Sequence, residues 1–151
     1  MKILKDNIQE FFKKFFGCSC YAYCLTKYFT EDEDLADMTI LMLQGWRKGY
    51  IDDDCFVSKP VEYIQTLVPN APIDVTKIYI SDLNELPAGE WIVEYKLNPK
   101  AKESHFVIAN NKKVLFDPAG DSNTVKNGKP FSIRGFIYKG KQGKGNIQNG
   151  Y

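Results

Sequence analysis

The spacing of apolar residues changes near the middle of the chain, and this change predicts the order of the secondary structure. Up to residue 72, apolar positions recur about every 3.6 residues, as they do in helices with one buried face. Beyond Pro72 the pattern shifts to alternation and to short runs rich in β-branched and aromatic residues, which predicts strands. The predicted helices cover residues 3–16, 18–29, 32–48 and 58–67, and the predicted strands cover residues 78–80, 91–97, 105–110, 114–116 and 131–139.

Some of the predicted helix ends carry residues with strong end preferences. Gly17 ends the first helix, and Thr30 with Glu33 forms a capping box that would open the third. Pro60, preceded by Ser58, is typical of the first turn of a helix and opens the fourth.

Because the predicted helices precede the predicted strands, the order favours an α+β fold over alternating βαβ units. We expect the N-terminal helices to pack on a C-terminal antiparallel sheet. The length of 151 residues is that of one domain. The prediction is a single domain over residues 1–139 and a flexible tail over residues 140–151, which contains four glycines and few apolar residues.

Charge and hydropathy narrow the class of protein. Twenty Lys and Arg against 19 Asp and Glu give a net charge of +1, which argues against a dedicated nucleic-acid binder. Charged residues interrupt the first ten positions, so we expect no signal peptide. The apolar run at residues 38–43 is far shorter than the roughly 20 residues of a membrane-spanning helix. We therefore expect a cytoplasmic protein without membrane insertion.

The residues available for catalysis or metal binding are few. The chain has one histidine, His105, and four cysteines, at positions 18, 20, 24 and 55. Without an export signal, cysteines are more often reduced thiols or metal ligands than disulfides. A metal module built from these cysteines is one hypothesis, but their spacing lacks the Cys-x2-Cys pairs typical of zinc sites. Cys20, Cys24 and Cys55 suit a buried core role.

Cys18 directly follows Gly17 at the predicted start of a helix. The free N–H groups and the positive dipole end of a helix stabilise a thiolate there, which favours a nucleophilic cysteine. His105 opens a predicted strand and is the only imidazole that could act as its base. Asp117 ends the next predicted strand and could orient that imidazole.

The hairpin between these two strands sets a condition for contact between His105 and Asp117. They lie directly opposite each other only if an odd number of residues forms the turn. A three-residue turn at residues 110–112 meets the condition. A two-residue turn at Asn110 and Asn111 would place Asp117 on the other face.

The order of these residues resembles that of papain-like cysteine peptidases, particularly small bacterial relatives of the bacteriocin leader-processing peptidases. Gly17-Cys18 at a helix entry, His105 opening an apolar strand and Asp117-Pro118 ending the next strand carry the resemblance. It implies a papain-like fold with a Cys18/His105/Asp117 triad that hydrolyses peptide or other amide bonds through a thioester. The substrate would be a peptide or protein, and no metal or organic cofactor is needed.

The chain shows three further resemblances. One keeps Cys18 at the nucleophile position, one places the nucleophile at Cys20, and one implies no chemistry. Cys18-Ser19 is similar to the entry of bacterial cell-wall endopeptidases, whereas residues 18–23 are similar to the Cys-Gly-Ser-Cys-Trp-Ala-Phe run of papain, which would make Cys20 the nucleophile. We favour Cys18, because it directly follows the glycine that ends the preceding helix, whereas Cys20 is expected inside the first helical turn. Gly17-Cys18 and residues 49–57 also resemble an uncharacterised family of spirochaete plasmids and bacteriophages.

One departure from the peptidase pattern leaves a second function open. The peptidases usually carry a glutamine about six residues before the cysteine, where this chain has Phe12 or Lys14. Main-chain N–H groups would then bind the oxyanion alone, and losing one donor costs about 100- to 1,000-fold in rate. The alternative hypothesis is a non-catalytic binding protein on the same scaffold, of phage or plasmid origin.

Overall fold

The computed structural model describes residues 20–140 and 143–146. The helix predicted over residues 3–16 lies outside the described residues, and so does Cys18. Within the described part, three helices precede an antiparallel sheet, which confirms the predicted α+β class. The elements are α1 (Tyr21–Thr30), α2 (Leu35–Arg47), α3 (Pro60–Leu67), β1 (Asp74–Tyr79), β2 (Trp91–Lys96), β3 (His105–Ala109), β4 (Val114–Phe116), α4 (Asn123–Asn127) and β5 (Lys129–Ile137).

The helix boundaries follow local capping, with one difference from the prediction. α2 begins after Asp34, whose carboxylate accepts a hydrogen bond from the Ala36 N–H at 2.8 Å. The expected capping box at Thr30 is not used, because Thr30 is still the last residue of α1. Glu31 then takes a left-handed conformation, with φ of 60°, that turns the chain. α3 begins at Pro60, as predicted.

The five strands form one sheet in the order β1-β5-β2-β3-β4, and every neighbouring pair is antiparallel. The last strand in the chain therefore lies between the first two, and β1 and β4 form the edges. β1 begins at Asp74, four residues before the predicted start. Two short elements had no clear sequence signal: α4 and a single 3-10 turn at Leu83–Glu85.

The sheet is covered on both faces, which explains why β2 and β3 are continuous runs of buried residues. On one face, Ile92, Phe106 and Phe136 pack with the buried residues of α1, α2 and α3. On the other face, a smaller cluster surrounds Trp91 and Val107. The N-terminal helices thus pack on the C-terminal sheet, as expected.

The described part of the predicted tail contacts the domain. The Phe136 N–H donates to the Gly145 carbonyl at 2.8 Å, and the Lys144 ammonium donates to the Tyr28 carbonyl at 2.8 Å. Residues 143–146 therefore pack against β5 and α1. Among the described residues, no helix has the length and apolar character needed to cross a bilayer.

Candidate active site

His105 and Asp117 meet at the end of the β3–β4 hairpin. His105 is the first residue of β3, and Asp117 follows the last residue of β4. The His105 Nε2 atom lies 2.6 Å from Asp117 Oδ1, and each side chain is only 9% exposed. Asp117 Oδ1 also accepts the Ala119 N–H at 2.9 Å, which fixes the carboxylate. A carboxylate on one ring nitrogen sets the tautomer and leaves Nδ1 as the ring atom suited to accept a proton.

The hairpin brings these residues together by a route that differs from the expected three-residue turn. The Asn110 N–H donates to the Lys113 carbonyl at 3.0 Å, so the turn consists of two residues. Such a turn alone would place Asp117 on the face opposite His105. A β-bulge at Leu115 corrects this, because the partners step from Ala109↔Val114 to Ile108↔Phe116.

The bulge has a simple consequence for register. If the register after the bulge continues past Phe116, Asp117 lies opposite Val107 and therefore on the same face as His105. The two side chains are diagonal neighbours rather than direct partners. Side chains at such diagonal positions remain within reach of each other.

Cys20 lies at the entry of α1 rather than inside its first turn. It is the residue before the helix, it takes a left-handed conformation with φ of 66°, and its carbonyl accepts the Cys24 N–H at 3.1 Å. It is buried and carries a thiol. The expectation that Cys20 would lie within the helix was therefore wrong, which removes one of the two reasons for preferring Cys18.

The electrostatics of Cys20 connect it to the His105–Asp117 pair. Burial raises the pKa of the Cys20 thiol to about 12, and the Asp117 carboxylate contributes to the rise. Asp117 is thus close enough to act on Cys20 while it holds His105. Burial outweighs the effect of the helix N-terminus, so this cysteine is a neutral thiol near pH 7. A nucleophilic Cys20 therefore needs a base to accept its proton.

The other cysteines have different environments. Cys24 is fully buried in the core, and burial raises the pKa of its thiol well above the usual value. This agrees with its expected core role. Cys55 is also buried, but it is held in a disulfide, so the expectation of a reduced thiol was wrong there. Cys18 lies outside the described residues, and its predicted role as nucleophile stays a prediction.

A second polar cluster, which we call the Glu94 cluster, lies on the sheet beside this site. Glu94 of β2 accepts a hydrogen bond from the Ser132 hydroxyl at 2.6 Å and lies 3.6 Å from Arg134 and 3.5 Å from Lys77. Burial opposes ionisation, but hydrogen bonds from Ser132 and Ser104 and the charges of Arg134 and Lys77 outweigh it and lower the pKa of Glu94. The signal for it was a single carboxylate within an apolar strand, at residues 91–95.

The described residues contain no group of three or more His, Cys, Asp and Glu side chains arranged to hold a metal ion. The three described cysteines, Cys20, Cys24 and Cys55, therefore provide no support for the hypothesis of a metal module that they would form with Cys18.

Fold and site together define an α+β domain in which a buried histidine–aspartate pair lies beside a helix-entry cysteine. The chain belongs to the family described as "Protein of unknown function, DUF261", whose profile matches residues 1–138. No curated protein and no solved structure matches the chain.

Proposed function

We propose that this protein is a cysteine-dependent hydrolase of peptide or other amide bonds, with a papain-like arrangement of Cys20, His105 and Asp117. The observation that carries the proposal is the position of Asp117, which hydrogen-bonds His105 and also acts on the Cys20 thiol. A thiol, an imidazole and a carboxylate in one buried neighbourhood are the parts of a nucleophile, its base and the group that orients the base.

The proposed reaction has two steps. The Cys20 sulfur attacks the carbonyl carbon of the amide while its proton passes to His105 Nδ1, and main-chain N–H groups at the start of α1 stabilise the oxyanion. His105 then returns the proton to the leaving amine as the C–N bond breaks, which leaves a thioester on Cys20. In the second step His105 takes a proton from water as the oxygen attacks the thioester carbon. The C–S bond then breaks, His105 returns the proton to the Cys20 sulfur, and the acid product is released.

The raised pKa of Cys20 explains why the base is essential. With a pKa of about 12, the thiolate is rare at neutral pH, roughly one molecule in 10⁵ at pH 7. The Asp117 carboxylate adds to this by opposing a negative charge on the sulfur. The site therefore suits proton transfer during attack better than a preformed thiolate.

Cysteine alkylation tests the proposal and locates the nucleophile. We expect limiting iodoacetamide, applied from pH 5 to 9, to modify Cys20 in the native chain, with a rate at pH 7 that falls at least tenfold in His105→Gln. Mass-spectrometric peptide mapping identifies the modified residue. Cys20→Ala and Cys18→Ala are the matched variants, and Cys24, a fully buried core thiol, serves as the internal control.

Two results would overturn the proposal. If Cys20 reacts at the same rate with and without His105, the imidazole does not act on its sulfur. If modification and amide hydrolysis both depend on Cys18 and are retained in Cys20→Ala, the nucleophile is Cys18, and the role assigned to Cys20 is wrong.

A further inference from the structure

A surface of aromatic rings and cations lies at the end of β1. Tyr79 is 67% exposed, and its ring lies edge to face with that of Phe131, with 5.2 Å between the ring centres. The Lys77 ammonium lies 5.3 Å from the ring centre of Tyr79 and 5.1 Å from that of Phe131. The Lys96 ammonium lies 4.5 Å from the ring centre of Phe131. We call these four residues the Tyr79 surface.

A cavity of about 460 Å³ adjoins the Tyr79 surface. Phe131 and Lys96 belong to both, and Lys129 lines the cavity as well. The apolar residues that line it are Ile80, Leu97, Pro99 and Pro130. Its volume lies within the range of pockets that bind small ligands, so it can receive a side chain of a partner.

The two cations that line this cavity are held close together. Lys96 of β2 and Lys129 of β5 are direct partners in the sheet, although like charges in such positions repel each other. The Lys96 ammonium donates to the Ala101 carbonyl at 3.0 Å, and no carboxylate of the described residues lines the cavity. The Glu85 carboxylate nearby accepts the Ser81 N–H at 3.2 Å, so it is engaged with the main chain. An anionic partner would offset the repulsion between the two lysines.

The outer side of β1 carries main-chain groups that β5 does not use, and no other described strand pairs with β1. The Ile80 N–H donates to the Phe131 carbonyl at 3.1 Å. Because hydrogen-bonded pairs alternate along an antiparallel ladder, Lys77 and Tyr79 direct their N–H and C=O groups to the outer edge. Their side chains share one face of the sheet, since they are two residues apart. An extended peptide that pairs along this edge places alternate side chains beside Lys77 and Tyr79.

We propose that the outer edge of β1 binds an extended acidic peptide. Its carboxylates meet the cations of the Tyr79 surface, and an apolar side chain packs on Tyr79 or enters the cavity. The inference goes beyond the proposed hydrolase, because it needs neither Cys20 nor His105. The surface favours a peptide over a single-stranded nucleic acid, since bases stack on ring faces and ammonium groups already lie over the faces of these rings.

A short peptide titrated into the isotope-labelled full chain and followed by NMR tests the proposal. The probe is an acetylated peptide amide, Thr-Glu-Thr-Phe-Thr-Glu-Thr, in which Glu and Phe occupy alternate positions, and its control carries Gln in place of Glu. We expect the Glu peptide to shift the main-chain N–H signals of Lys77 and Tyr79 and to bind about tenfold more tightly than the Gln peptide. Unchanged signals, or equal affinity of the two peptides, would overturn the proposal.

Methylation of the peptide nitrogens tests the pairing with β1. Peptide residues opposite Lys77 and Tyr79 direct their N–H groups toward β1, so methylating the Phe nitrogen should lower the affinity by about tenfold. Methylating the nitrogen of the preceding Thr, whose N–H faces away from β1, should leave the affinity unchanged. Equal effects of the two methylations would show that the peptide does not add to the edge. Tighter binding of oligothymidine than of the Glu peptide at the same signals would assign the surface to nucleic acid, and the proposal would be wrong.

Variants of the protein separate the two kinds of contact. Lys77→Gln combined with Lys96→Gln should remove most of the preference for Glu over Gln, whereas Tyr79→Ala should weaken the binding of both peptides alike. Lys113→Gln, at an exposed position beside the β3–β4 turn, is the control and should alter neither. Cys20→Ala should bind the Glu peptide as the native chain does, so the result does not depend on the hydrolase proposal. A preference that persists in the double lysine variant contradicts the assignment of the carboxylates to these cations.

Discussion

Two buried carboxylates lie on neighbouring parts of the sheet, and they differ in the kind of partner that holds them. Glu94 is held by the Ser132 hydroxyl and by two cations, Lys77 and Arg134, which act on it only as donors and positive charges. Asp117 is held by His105, whose ring nitrogens can donate or accept a hydrogen bond according to the tautomer. The same functional group therefore anchors cations at one site and, in the proposed mechanism, orients the base at the other.

The largest expected effect comes from replacing His105, the proposed base. His105→Gln keeps a hydrogen bond toward Asp117 but cannot accept the Cys20 proton, so acylation of Cys20 should fall by about 10⁴-fold. Single-turnover acylation by a peptide p-nitrophenyl ester, followed by mass spectrometry, measures this rate. Lys126→Gln serves as the control. A rate within threefold of the native rate would show that the His105–Asp117 pair is structural, like the Glu94 cluster.

Asp117→Asn should slow acylation by about 100-fold, since the imidazole loses the group that orients it. The same change should lower the pKa of Cys20, because a neutral amide no longer opposes negative charge on the sulfur. The pH profile of Cys20 alkylation would then shift to lower pH while acylation becomes slower. A purely structural role would not produce opposite changes in these two measurements, and an unchanged profile contradicts the assignment.

Replacing Glu94 should change the stability of the fold rather than the rate of acylation. Glu94→Gln leaves Arg134 without its carboxylate and should lower the free energy of unfolding at pH 7 by about 3 kcal/mol. Since the folded pKa of Glu94 is below its usual 4.5, this stabilisation is present above about pH 4.5 and is lost as the pH falls through the folded pKa.

Urea denaturation of the native chain and of Glu94→Gln between pH 3 and 7 measures both effects. The stability difference between the two chains should shrink toward acidic pH. Glu103→Gln, at an exposed position, is the matched control and should change stability by less than about 0.5 kcal/mol. A constant difference across the pH range would mean that Glu94 is not ionised in the fold.

The smallest expected effect concerns the bulge that positions Asp117. Deleting Leu115 leaves Phe116 opposite Ile108 and Asp117 opposite Val107, so acylation should stay within about threefold of the native rate. Inserting one alanine between Phe116 and Asp117 moves Asp117 to the other face and should reproduce the loss seen in Asp117→Asn. Equal effects of the deletion and the insertion would show that register does not control the contact.

The sequence was sufficient to predict what depends on local pattern. Periodicity predicted the helices and then the strands, and the apolar runs around residues 91–97 and 105–110 located β2 and β3 within one residue. The contact between His105 and Asp117 was predicted for a three-residue turn, and it forms instead with a two-residue turn and a bulge.

Other features depend on contacts between distant parts of the chain. The bulge at Leu115 arises from pairing with β3, and no residue type in residues 110–117 marks it. The raised pKa of Cys20 comes from burial and from a carboxylate 97 positions away in the sequence. Arg134 meets Glu94 because β5, the last strand, inserts beside β2. Only the folded topology brings Arg134 and Glu94 together.

The order of the strands also bears on self-association. β1 and β4 are the exposed edges of the sheet, where backbone groups can recruit a strand from another molecule. β4 is a poor template, because it has three residues and carries the bulge. β1 has six residues and carries Lys77 at its centre, a charge that opposes stacking of copies. Exchanging Lys77 for an apolar residue should therefore make the protein aggregate at concentrations where the native chain remains dispersed.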